Sequence, residues 1–151
     1  MPELPEVEVV CRSLKKIFND HGPISHVSWS RPDLRFSLPL RLLKSWKEVQ
    51  VLQVERRAKY LRLESAASSL VCHLGMSGSF RLIDRSEARQ KHDHVEFHFS
   101  GGKVLVFNDP RRFGFFLEWP GSWQLVSRQE LGIEPLGPQF NAAFLLKVLS
   151  G

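Results

Sequence analysis

Val95-Glu96-Phe97-His98-Phe99-Ser100-Gly101-Gly102-Lys103-Val104-Leu105-Val106-Phe107 is the stretch that decides the fold class. Its first five residues alternate apolar and polar, the period-two pattern of a strand with one buried face. Gly101-Gly102 is a turn signal, and the run from Lys103 to Phe107 is again short and rich in valine and aromatic residues. The stretch therefore predicts an antiparallel hairpin. The same period recurs on either side of it, over 24–29, 49–55, 60–64, 69–74, 79–83 and 113–119. Many short strands at even spacing predict a mainly β chain with flanking helices, built as a two-layer β-sandwich.

The residues before the first strand follow another period. Val7, Val10, Leu14 and Ile17 recur at steps of three and four, with Phe18 beside the last, which predicts an amphipathic helix packed on the sandwich. Pro5 suits its first position, where a missing N–H costs nothing. Glu6 and Glu8 near the start and Lys15 and Lys16 near the end match the helix dipole. Asn19-Asp20-His21-Gly22-Pro23 stops the helix.

Beyond the last strand the chain changes character. Pro120, Gly121, Pro135, Gly137 and Pro138 mark a linker-like region, and Asn141 is placed to cap a short apolar helix over 142–149. Such a helix needs a surface to cover, either on its own domain or as the start of another. The expected division is a sandwich domain over 1–134 and a linker with the start of a second domain over 135–151.

Length and composition agree with one ordinary domain. The chain has 151 residues, 42% of them hydrophobic and 25% charged, enough to bury a core. A formal net charge of +5 favours a polyanionic partner, nucleic acid ahead of an acidic membrane surface. Cys11 and Cys72 form no C-x-x-C pair, which argues against a disulfide scaffold and against a cysteine zinc site within this sequence. Neither a signal peptide nor an apolar run long enough to span a membrane is read in the sequence. His92-Asp93-His94 offers two imidazoles and a carboxylate, but no third side chain elsewhere completes the set, and no metal site is expected.

The chemistry concentrates in four blocks. The first is Met1-Pro2-Glu3-Leu4-Pro5-Glu6-Val7-Glu8. Removal of Met1 would expose a secondary amine on Pro2. An α-amino group has a pKa of about 7.7–8 against about 10.4 for lysine, so far more of it is free base near neutrality. An amine nucleophile that attacks a sugar C1′ yields an iminium, an electron sink that acidifies the C2′ proton. The other blocks are Arg57-Ala58-Lys59-Tyr60-Leu61, His73-Leu74-Gly75-Met76-Ser77-Gly78 and Asn108-Asp109-Pro110-Arg111-Arg112-Phe113-Gly114. In these four blocks, in their order and approximate spacing, the chain resembles the formamidopyrimidine-DNA glycosylases, the bacterial enzymes that excise oxidised purines.

That resemblance implies roles. Pro2 would be the nucleophile, Glu3 a proton shuttle and Glu6 a supporting contact. Lys59 would touch the phosphate beside the lesion and assist elimination, where an ammonium donates charge-assisted hydrogen bonds. Base excision requires the target nucleotide to leave the stack, and the gap must be filled. Met76 and Phe113 would be the inserted residues and Arg111 the reader of the opposite cytosine, suiting a flexible thioether, an aromatic wedge and a planar guanidinium. Residues of these types otherwise belong in a core. His92 and Arg112 would contact the DNA backbone, with His73 and His94 structural.

The resemblance further implies a monomer in the bacterial cytoplasm, associated with the nucleoid, that acts on double-stranded DNA carrying oxidised purines or abasic sites. The reaction would be glycosylase and class I abasic-site lyase chemistry with β- and δ-elimination. Family members continue into a helix–two-turn–helix module and a zinc finger with four cysteine ligands, so one structural zinc is expected outside this sequence and no cofactor inside it. Without those phosphate contacts the 151-residue chain is expected to show weak or absent glycosylase activity. The alternatives are a non-catalytic DNA-binding remnant or, less specifically, a metal-binding sandwich using His92 and His94.

Overall fold

The computed structural model describes residues 2–120. Met1, the boundary after residue 134 and the linker and helix expected over 135–151 lie outside the described residues. The chain runs through α1 (Leu4–His21), β1 (Ile24–Trp29), α2 (Leu40–Ser45), β2 (Gln53–Arg57), β3 (Tyr60–Glu64), β4 (Ser69–His73), β5 (Ser79–Asp84), β6 (Asp93–Phe99), β7 (Lys103–Asn108) and β8 (Phe115–Trp119). The strands form two four-stranded antiparallel sheets, ordered β1-β6-β7-β5 and β2-β3-β4-β8. The expected hairpin is β6–β7, with Val95 opposite Phe107 and Phe97 opposite Leu105.

The two sheets pack face to face through alternating side chains. Phe107 from one meets Phe116 from the other edge-on at 4.9 Å, and Phe80 and Phe97 close around Phe116. Leu61, Leu63, Leu70 and Cys72 complete the opposing layer, all buried. Burying each such side chain contributes roughly 1.5–3 kcal/mol. Helix α1 covers this core with Val7, Cys11, Leu14 and Phe18. That face is rotated from the predicted one, because Val10 and Ile17 are only half-buried against the cluster's margin. Glu3 is the N-cap and Pro5 the second helical residue, still within the turn whose N–H groups lack helical partners.

Two elements depart from expectation. Helix α2 spans six residues, too few for a helical period to show. The strand expected over 49–55 is shorter and later, because Val49 bridges to Ile24 instead and only Gln53–Arg57 joins the β3 ladder. No described helix is long and apolar enough to cross a membrane.

Strand register places the last three blocks at one end of the sandwich. Arg57 faces Tyr60, Tyr60 faces His73, and His73 faces Phe115. In the other sheet Ser79 and Asp93 both face Asn108. Residues 74–78 and 109–114 are the two short crossings between sheets at this end. Helix α1 runs antiparallel to the segment 50–57, with Phe18 bonded to Gln50, Cys11 to Val54 and Glu8 to Arg56. Its first turn therefore opens at the same end.

Candidate active site

Pro2 is half-buried immediately before α1, while Glu3 and Glu6 are exposed. Glu3 has an extended backbone and makes no side-chain capping bond, so its carboxylate is not spent on the helix. The helix start is tied down by Glu8, which accepts a hydrogen bond from Arg56 at 3.2 Å. Arg56 also reaches the carbonyl of Ala58 at 3.0 Å. Ala58-Lys59 is the two-residue turn between β2 and β3, and Ala58 has a φ of 51°. An alanine there is strained. The turn holds Lys59, half-buried, beside His73.

His73 is a buried imidazole stacked on Phe115 with planes 8° apart. Its Nδ1 accepts a hydrogen bond from the Gly75 amide at 2.9 Å, which requires that nitrogen to be unprotonated. Burial, with the positive charges of Arg35 and Lys59, holds its pKa down at about 4. The structural role expected for His73 is the one it occupies.

Met76 and Phe113 are each 43% exposed, so neither belongs to the core. Arg111 lies over the Phe113 ring at 5.0 Å. Gly75 and Gly114 let the two crossings touch, and Gly78 lets the first fold back on itself. A Cβ on Gly75 would run into the backbone of Phe113 and Gly114, one on Gly78 into the Leu74 carbonyl, and one on Gly114 into the His73 carbonyl. Gly75 also has a φ of 62°. We expect Gly75→Ala to destabilise the domain by about 2 kcal/mol, from the left-handed backbone and the overlap together. Urea unfolding checks this; an unchanged midpoint would mean that the crossings are not in contact.

The sequence reading missed the group that organises these loops. Asp109 is fully buried. Its Oδ1 accepts hydrogen bonds from Ser77 Oγ at 2.6 Å and Arg112 N at 3.2 Å, and its Oδ2 from Gly114 N at 2.8 Å. Ser77 Oγ in turn accepts from Arg111 N at 3.1 Å. The available signal was an aspartate before proline in Asn108-Asp109-Pro110, a turn signature, but nothing local names its partners.

His92 and Arg112 are half-buried and exposed, with φ of 72° and 56°. His92 and His94 do not share a strand face. β6 begins at Asp93, so His92 precedes the strand in a left-handed conformation. His94 is buried, and its Nε2 meets the Asp109 carbonyl at 2.9 Å. Behind them Arg81 grips Asp93 with two bonds of 2.7 and 2.6 Å. Burial pushes the Asp93 carboxyl up, but bonds from Arg81, Asn108 and the Gln90 amide outweigh it and hold the pKa at about 2. Among the described residues no group of three or more His, Cys, Asp or Glu is arranged for a metal. Buried Cys11 on α1 and Cys72 on β4 do not fit a four-cysteine zinc site.

The structure thus brings Pro2, Glu3, Glu6, Lys59, Met76, His92, Arg111, Arg112 and Phe113 to one end of the sandwich. A groove of about 1060 Å³ between α1 and the segment 50–55 lies along the helix flank and holds none of them.

Comparison with known proteins gives the family. Residues 1–116 match the family described as the formamidopyrimidine-DNA glycosylase N-terminal domain. The formamidopyrimidine-DNA glycosylase of Bdellovibrio bacteriovorus is 40% identical over 151 residues, covering all of this chain and 56% of that protein. That of Vibrio cholerae is 42% identical over 149 residues, 97% of this chain and 54% of its own length. The chain thus spans about half the length of these relatives. Among solved structures, the complex of Lactococcus lactis Fpg with DNA containing an abasic site is 30% identical with a TM-score of 0.69, covering 84% of this chain and 46% of that one. MutM in complex with DNA containing carbocyclic 8-oxo-G gives a TM-score of 0.71 at 30% identity, over 84% and 48% of the respective chains. The chain belongs to the formamidopyrimidine-DNA glycosylase family, whose N-terminal domain it contains.

Proposed function

We propose that this chain carries the nucleophile and the duplex-invading loops of a base-excision repair glycosylase and abasic-site lyase acting on oxidised purines. The observation that carries the reading is the pair of exposed apolar side chains, Met76 and Phe113, set with Arg111 at the end of the sandwich where α1 begins. Large apolar groups fixed in solvent mark a binding surface, and one that can fill a vacated base position suits extrahelical chemistry.

In this reading Met1 is removed and the Pro2 nitrogen lone pair forms a bond to C1′ as the base departs with a proton. Glu3 serves as the proton donor and acceptor, with Glu6 supporting it. The Pro2 nitrogen then loses its proton and its lone pair expels O4′, which takes a proton from Glu3 as the C1′–O4′ bond breaks, leaving the ring-opened sugar as an iminium on Pro2. Loss of a C2′ proton breaks the 3′ C–O bond, and a second elimination breaks the 5′ bond. Water finally releases the amine. Lys59 neutralises the adjacent phosphate. Arg112 and His92 hold the backbone, and Arg111 pairs with the orphaned base. The protein acts as a monomer on double-stranded DNA in the bacterial cytoplasm, at the nucleoid.

Borohydride trapping tests this reading. The expected result is a covalent adduct with an abasic-site duplex, whose peptide map places the sugar on residue 2. No adduct at high protein and low salt would leave the DNA-binding remnant as the better account.

A further inference from the structure

We infer that Asp109 is a positioning residue that locks three DNA-facing loops into one rigid body, with Ser77 as its link to the Met76 loop. This rests on the functional reading above. The carboxylate joins Ser77, Arg112 and Gly114 as described. The backbone of the same residue reaches the third loop. Its N–H donates to the His92 carbonyl at 3.1 Å, and its carbonyl meets His94 Nε2 at 2.9 Å. One buried residue therefore contacts the segments bearing Met76, Arg111–Phe113 and His92.

Ser77 is the vulnerable joint. Its hydroxyl donates to Asp109 and accepts from the Arg111 amide, so it ties the loop that inserts Met76 to the loop that inserts Arg111 and Phe113. Gly75 and Gly114 hold the crossings close, but contact alone does not fix their relative slide. A short, half-buried charge-assisted bond beside them does. Entry into a duplex then orders few new side chains, because the inserting residues already share one frame. A single-stranded substrate has no opposite base and no stack to fill, and gains nothing from that frame.

The test compares adduct yield on an abasic duplex with yield on an abasic single strand for the 151-residue chain and its Ser77→Ala and Ser77→Thr variants. The expected result is a duplex-to-single-strand ratio about tenfold lower for Ser77→Ala, and near wild type for Ser77→Thr, which keeps the hydroxyl. A merely destabilised fold lowers both yields and leaves the ratio alone. An unchanged ratio in Ser77→Ala overturns the inference. Amide exchange of the DNA-free chain supplies a second readout. Faster exchange in Ser77→Ala at Arg111, Arg112 and Gly114 together with 76–78 supports the lock, and a rise confined to 76–78 overturns it. If the wild-type chain traps neither substrate, the catalytic reading fails and the exchange result alone judges the lock.

Discussion

A preparation that retains Met1 will give no borohydride adduct with abasic DNA, and Pro2→Gly with Met1 removed will give about a hundredfold less than wild type. The two losses have different causes. With Met1 attached, the Pro2 nitrogen is an amide with no available lone pair. With glycine, a free α-amine of similar pKa survives. It forms an imine that sheds its last N–H proton and ceases to be an electron sink, whereas the proline iminium has none to shed. Glycine also releases the φ restraint that aims the nitrogen. Intact mass separates the two preparations before trapping. The informative failure is an adduct of normal yield from the Met1-retaining chain that maps to Lys59. That result would transfer the nucleophile to the β2–β3 turn and reduce Pro2 to a helix-start residue.

The parts of this molecule that could be read in advance are those set by short-range repetition. The alternation from Val95 to Phe99 and the glycine pair after it specify β6 and β7 because a strand's faces alternate at every residue. The α1 period gave the helix but not its buried face, since Cys11 packs as a small apolar residue that a count of large hydrophobics passes over. The four motif blocks pointed to one site, yet their convergence depends on register. Tyr60, His73 and Phe115 stand in one row only once three strands are paired. Asp109 was illegible for a related reason. Its donors come from residues 77, 112 and 114, and an aspartate before proline looks the same whether it faces solvent or anchors two loops. Nor does sequence mark His92 and Arg112 as left-handed, because their conformations are set by the bonds that Asp109 makes around them.

Acidification will destabilise the domain well before its carboxylates are lost, and His73 will dominate the effect. The unfolded chain has an ordinary histidine near 6.5, while the folded one binds a proton only at about 4. Between these values the unfolded state carries the extra proton, so stability falls as pH falls through that window and levels off for this group below it. The full depression corresponds to on the order of 3 kcal/mol, since one pKa unit is about 1.4 kcal/mol. His94 and His98 act in the same sense. Burial lowers both, with the Asp109 carbonyl partly opposing it at His94 and the neighbouring His26 reinforcing it at His98. Glu55 acts the other way, because burial raises its carboxyl and protonation relieves that cost. Asp93, held at about 2 from an ordinary 3.8, withdraws its contribution only in the more acidic range between them. Urea unfolding at about pH 7 and about pH 4.5 reads the difference. His73→Asn, whose amide oxygen can take over the bond from the Gly75 amide, should flatten the slope by the larger part of it. A slope unchanged in that variant would mean that the imidazole is protonated in the native fold. The bond from Gly75 would then not exist, and the Met76 loop would have lost its anchor on β4.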